Sequence, residues 1–159
     1  MYESSHAVAS WTRYLGAAAL LGVGLDHLEQ FSVDHYAAIP TIGTLFALNF
    51  ASAALIASAL AAPVQRLAGR AGRIAVPLLC VGGISVAAGS IAGLLLSETS
   101  GLFGFMELGY RPANILSIAL EAATNVLLSL HVVMARPPRA HPARPSGLGR
   151  LNRHSERTG

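Results

Sequence analysis

The sequence predicts an all-α fold, a membrane four-helix bundle, and three observations predict it. Apolar residues make up 53% of the chain and charged residues only 12%, where a soluble domain carries about 25%. Four apolar runs, about 11–29, 41–62, 74–97 and 113–134, are long enough to cross a bilayer at the helical rise of about 1.5 Å per residue. The arginines gather on alternate sides of these runs. The mean hydropathy of +0.52 agrees. Residues 1–135 therefore form one transmembrane domain.

The first run starts at Trp11. Trp11, Arg13 and Tyr14 form an interfacial anchor, and the ten residues before them are short and polar, with no domain of their own. A secretory signal peptide also pairs a base with a short apolar segment, but no Ala-x-Ala cleavage pattern follows and the run continues into Asp26-His27-Leu28-Glu29. The second run opens at Pro40 or Thr41, where a proline suits the first helical turn, and Pro63 ends it. The linker 64–73 carries Arg66, Arg70 and Arg73. The third run holds Pro77 near its start. The segment 101–107, Gly-Leu-Phe-Gly-Phe-Met-Glu, is apolar but too short to span, and reads as a re-entrant turn or short interfacial helix. Residues 136–159, rich in Arg and Pro, lack the apolar content for a core and read as a disordered tail.

Nine of the eleven arginines lie in the 64–73 linker and the tail. The positive-inside rule then places both termini in the cytoplasm and the 29–39 and 98–112 connections outside, with a bacterial plasma membrane as the expected location. The tail suits anionic lipid. It lacks a folded nucleic-acid module or interleaved aromatics, which argues against nucleic acid. All basic residues are arginine, so lysine Schiff-base chemistry is excluded. Cys80 is the only cysteine, which excludes an internal disulfide and a thiolate cluster; its apolar neighbours mark it as a core residue.

In lipid, helices associate through small residues and interhelical hydrogen bonds. Spacings of four suggest packing lines at Ala18, Gly22 and Asp26; at Ala47, Ala51, Leu55 and Ala59; and at Ser85, Gly89 and Gly93. The fourth run carries a polar line instead: Ser117, Glu121, Asn125 and Ser129. Glu121 lies about 12 Å below the outer end of its helix. An acid at that depth costs at least about 2.5–3.5 kcal/mol and needs a partner or a proton. Asn49, at similar depth on the second run, could hydrogen-bond to it. Glu121, Asn49, Asn125 and His27 are the candidates for ligand or proton binding.

A second cluster forms an outer rim: Asp26, Glu29, Asp34, His35, Tyr36, Glu98, Glu107, Tyr110 and Arg111. Asp26, Glu29 and Gln30 share a helical face, whereas His27 points about 200° from Glu29, so one metal cannot take both. No Glu-x-x-His or His-x-x-x-His motif occurs, which excludes a di-iron carboxylate bundle. Asp26 or His27 with Asp34, His35 or Glu107 leaves a mixed oxygen–imidazole metal site open. His27 and His131, near opposite ends of their runs, stand more than roughly 15 Å apart along the normal, so one bis-histidine haem cannot take both. His131 reads as an interfacial residue at its helix C-terminus. No P-loop, dinucleotide fingerprint or Gly-x-Ser-x-Gly is present.

The stretches Gly24-x-x-His27-Leu28, Ile39-Pro40-x-Ile42-Gly43-x-Leu45-Phe46-x-Leu48-Asn49 and Gly101-Leu102-Phe103-Gly104-Phe105-x-Glu107 resemble those of small four-span membrane proteins of GC-rich Gram-positive bacteria, over roughly residues 11–134. The resemblance implies a plasma-membrane four-helix fold and carries no activity with it. In size and layout alone the chain is also similar to the DoxX-like group, which is linked to membrane redox systems.

Two functions follow. The first is a non-enzymatic accessory or scaffold subunit that meets a membrane protein partner or a second copy of itself. The second is a redox-associated or transport protein holding a quinone-like ligand or a cation between the helices near Glu121. A scaffold needs Glu121 sealed against Asn49 or Asn125. A ligand protein needs a cavity joining Glu121 to the outer mouth.

Overall fold

The computed structural model describes residues 2–63, 69–107 and 111–135. Four helices make up the architecture: α1 (Tyr2–Ser32), α2 (Pro40–Ala61), α3 (Gly69–Thr99) and α4 (Pro112–Met134). A single 3₁₀ turn, Tyr36–Ala38, lies between α1 and α2. The helices run alternately up and down. The connection 33–39 and residues 100–107 share one end, called here the capped end; Arg13, Arg70 and Arg73 lie at the other, the arginine end.

The apolar runs and proline positions explain the element boundaries. Pro40 and Pro112 occupy the first turns of α2 and α4, where no N–H is needed. Ala62, which precedes Pro63, is extended at ψ 151°, and α2 stops there. Two boundaries differ from expectation. α1 begins near Tyr2 rather than at Trp11, and α3 begins at Gly69 rather than Ile74. Polar and arginine side chains interrupt an apolar run but leave helical backbone bonds intact, so hydropathy underestimates helix length at an aqueous end. Pro77 consequently lies in the interior of α3. The expected 136–159 tail, Arg66 and Tyr110 lie outside the described residues.

The apolar 101–107 segment forms no helix. Leu102 N donates to Phe105 O at 2.7 Å and Phe105 N returns to Leu102 O at 2.9 Å. The two residues between them, Phe103 and Gly104, have φ of 50° and 79°. Two successive positive φ values mark the tight turn that joins antiparallel strands, and the glycine accommodates one of them without cost. Glu107 N then bonds to Ser97 O at 3.1 Å, which pins the turn to the end of α3.

α1 packs most extensively against α2 and α4, α3 against α4, and the α2–α3 pairing is the sparsest of the four neighbouring pairs. Inward residues recur at alternating intervals of three and four. α4 buries Asn114, Ser117, Glu121, Thr124, Leu128 and His131, and α3 buries Val76, Cys80, Gly83 and Ala87. This is the 3.5-residue repeat of a left-handed bundle. Lines drawn every four residues drift by about 40° per step, and most of the expected packing lines fail for that reason. Ala18, Ala47 and Ala51 are exposed and Leu55 is 73% exposed. Gly22 does meet α4, with Leu120 close by, and Asp26 is buried. Ser129 is exposed.

Toward the arginine end the core is apolar and dense. Ala17, Leu60, Val76, Cys80 and Leu128 pack as one cluster, joined by Leu20, Ala53 and Ala57. Leu128 sits between two glycines: a methyl group at Gly16 would stand 2.5 Å from its Cδ2, and one at Gly83 2.8 Å from its Cδ1. These are the close approaches that small residues permit between helices in lipid.

Among the described residues three helices, α2, α3 and α4, are long and apolar enough to cross a membrane. Their outward faces carry Leu48, Leu55, Leu78, Val126 and Val133, all exposed. In water such a surface would be an aggregation liability; against acyl chains it is the normal finish of a membrane protein.

Candidate functional site

Toward the capped end the packing opens. Between α2 and α3, over α1 and α4, lies a cavity of about 340 Å³, within the range of small-molecule sites. Phe46, Asn49 and Ser52 of α2 line one wall and Ser85, Gly89, Ser90 and Gly93 of α3 the other. His27 and Gln30 of α1 and Asn114, Ser117 and Glu121 of α4 form its floor. The α3 glycines, expected to seat a neighbouring helix, face this space instead. A Cβ at Gly89 would meet nothing within 4 Å, and one at Gly93 only Leu102, at 3.9 Å.

Glu121 is 1% exposed and lies on that floor. Ser117 Oγ donates to its Oε1 at 3.3 Å, a long bond, and the Ser90 hydroxyl lies within interaction range. Oε2 has no hydrogen-bond partner at normal distance. The bond that similar depth allows to Asn49 does not form: Asn49 also lines the cavity, and its Oδ1 is likewise unpartnered. Asn125 does not seal the carboxylate either. Its Nδ2 donates back to the Glu121 main-chain oxygen at 3.0 Å, because a residue four positions on lies over the preceding turn.

His27 is placed by two bonds. Its Nδ1 donates to Val23 O at 2.9 Å, since a carbonyl oxygen can only accept. In the neutral ring Nε2 then accepts from the Ser90 hydroxyl, 2.9 Å away. Ser90 thus stands between His27 and Glu121. Asp26 is buried beside this group, with Gln30 Nε2 donating to its Oδ2 at 2.7 Å and its Oδ1 unpartnered. Asp26 is therefore buried behind the floor, next to Gln30, rather than placed on an exposed rim. Glu29, expected on the same face, is exposed.

Four of the rim residues, Asp34, Tyr36, Glu107 and Arg111, join into one connected cap. Arg111 Nη1 pairs with Asp34 Oδ2 at 3.1 Å and its Nε with Glu107 Oε1 at 3.1 Å. The Tyr36 hydroxyl donates to Glu107 Oε2 at 2.6 Å and accepts from Arg111 Nη2. The Tyr36 ring stacks on Phe46 with centroids 4.8 Å apart and meets Phe105 edge-on at 5.7 Å. Tyr36, named with the outer rim, is buried at 7% exposed. Burial, reinforced by the bond to Glu107, raises its hydroxyl pKa well above the ordinary tyrosine range. His35 makes the turn with φ 65° and stays exposed, and Glu98 lies near the end of α3, half-buried.

His131 is buried at the arginine end, where Nδ1 donates to Ala9 O at 2.7 Å. It locks α4 to α1 rather than sitting at an interface. His27 and His131 thus hold carbonyls roughly 20 Å apart along α1. Among the described residues no three of His, Cys, Asp and Glu converge as metal ligands. The sequence alone does not single out Ser90 or Asn114, and it names Gln30 and Phe46 without a place in the site. The three-four alternation Val76, Cys80, Gly83, Ala87, Ser90 along α3 reaches the first of these. Comparison with protein-family models, with curated proteins and with solved structures finds no match to this chain.

Proposed function

We propose that this protein binds a small amphipathic molecule within the membrane, in the cavity between α2 and α3. The observation that carries this reading is the continuous space from Glu121 to the Tyr36–Glu107 cap. Leu45 and Leu48, both exposed, and Gly89, which meets nothing, border it. A ligand dissolved in the acyl chains can enter there without crossing water. In this reading all four helices span a bacterial plasma membrane. The arginine end is cytoplasmic, following the 64–73 and 136–159 arginines, and the capped end faces outward. α1 crosses with Arg13 and Asp26 turned inward, shielded from lipid by α2 and α4.

A thermal-shift panel of amphipathic aromatic amines, phenols and quinones tests it, with wild type compared to Gly89→Leu, whose side chain would occupy the cavity. At least one compound should raise the midpoint of wild type and leave Gly89→Leu unmoved. If no compound separates the two proteins, the reading fails.

A scaffold role has one observation in its favour, the exposed small residues Ala47 and Ala51 on α2, through which a second copy could approach. Concentration-dependent cross-linking lost in Ala47→Leu/Ala51→Leu would support that role.

A further inference from the structure

We infer that the cavity takes a lipophilic ammonium cation, with Glu121 as its counter-ion; this rests on the ligand-binding reading above and names its ligand class. The argument is a charge and hydrogen-bond inventory of the floor and walls. Glu121 Oε2 and Asn49 Oδ1 are buried acceptors that line the space and lack partners. Buried acceptors left unsatisfied are costly, so two facing one cavity mark a place where donors are missing. An ammonium head supplies N–H donors and the opposite charge together.

Charge points the same way. Asp26 lies within electrostatic reach of Glu121 and has an unpartnered oxygen of its own. No arginine lines the cavity among the described residues. Arg111, the nearest guanidinium on the capped side, is committed to Asp34, Glu107 and Tyr36. His27, with Nδ1–H held by Val23 O, presents to Ser90 an Nε2 that accepts in the neutral ring. The floor therefore has one acid, Glu121, with a second, Asp26, buried behind it, and no fixed cation on the lining to balance them. A metal ion would need three or more converging ligands, which the described residues do not provide. A quinone, the other ligand class raised by the sequence, needs donors for its carbonyl oxygens. Asn114 Nδ2 is the one orphan donor on the lining, against the two orphan acceptors.

The rest of the cavity suits an apolar body. Phe46, Phe105 and Tyr36 present rings above the floor, and aromatic faces attract ammonium groups as well as aromatic ones. Ile42, Val86 and Leu94 supply aliphatic wall. A ligand with a cationic head at Glu121 and a ring beneath Phe46 would use both.

The test is a pair of isosteres titrated calorimetrically into the full-length protein in nanodiscs: 2-phenylethylammonium and propylbenzene, in which a methyl group replaces the ammonium. The cation should bind wild type at least tenfold more tightly than the hydrocarbon does. Glu121→Gln should abolish that preference while leaving propylbenzene binding unchanged. The isostere comparison needs no variant, so it stands even where Glu121→Gln fails to fold. Equal affinities for the two compounds, or equal cation affinity in wild type and Glu121→Gln, would overturn the inference. Quinones or phenols that separate wild type from Gly89→Leu while amines do not would overturn it and leave the ligand-binding reading in place. If no compound of any class separates those proteins, both fall.

Discussion

The two halves of the bundle use the same helices for opposite ends. Toward the arginine end, glycines bring helices together: Gly16 and Gly83 accept Leu128, and an added methyl group would collide with it. Toward the capped end, glycines hold space open: Gly89 faces a cavity and an added methyl group would touch nothing. The acceptors divide likewise, although Arg13 at the arginine end keeps a buried donor, Nε, without a partner. At the arginine end His131 is spent on the main chain of Ala9. At the capped end Glu121, Asn49 and Asp26 each keep a buried oxygen without a partner. A small residue in a membrane helix thus has no fixed meaning; what stands opposite decides whether it is a contact or a vacancy. One half supplies the stability that lets the other half remain open.

Substitutions can break or sharpen this contrast. The largest effect is expected from Leu128→Ala, which empties the tightest site of the packed half. Removing a fully buried leucine costs about 2–5 kcal/mol, measurable as a lower unfolding midpoint in detergent. Next is Gly43→Ala. Its Cβ would stand 2.8 Å from the Tyr36 main-chain oxygen and 3.0 Å from Ala37 Cα. Backbone cannot swing aside as a side chain can, so a loss of about 1–3 kcal/mol is expected. Proteolysis at 33–39 should rise with it, because Gly43 seats that turn. If Gly43→Ala leaves both unchanged, the cap is not anchored as described.

A smaller effect concerns pH. The Tyr36 hydroxyl is held protonated above the ordinary tyrosine pKa of about 10 by burial and by its bond to Glu107. Its native pKa is raised, so its contribution to stability is complete below about pH 10 and is lost as pH rises from there. Wild type should lose stability above pH 10 more steeply than Tyr36→Phe, read from unfolding midpoints at pH 8 to 11. Parallel profiles would mean that Tyr36 is solvated in solution.

The sequence identified four helices, their order and the unusual depth of Glu121, because long apolar runs and an intramembrane acid are strong signals. It also names His27 and Asn49, which line the cavity with Glu121. Similar depth allows an Asn49–Glu121 bond, yet both turn separate orphan oxygens to one cavity. Depth fixes height along a helix and says nothing of the gap between two helices. The stripes at intervals of four failed on α2 because of helical drift, which put Ala47 and Ala51 outside. For 101–107 the sequence leaves a turn and a short interfacial helix open, and the positive φ at Phe103 and Gly104 goes with the turn. The contacts joining Tyr36 to Glu107 and Asp34 to Arg111 cross more than half of the bundle's sequence, and no local pattern announces them.

The central claim is that space beside Gly89 is built for a guest while space beside Gly83 is filled by the protein. Unliganded unfolding midpoints of Gly83→Leu and Gly89→Leu, measured side by side in the same detergent, test it most directly. The account predicts that Gly83→Leu fails to fold or unfolds far below wild type, and that Gly89→Leu stays within a few degrees of it. Equal destabilisation of both would show that Gly89 is packed like Gly83, and the cavity would not exist in the folded protein.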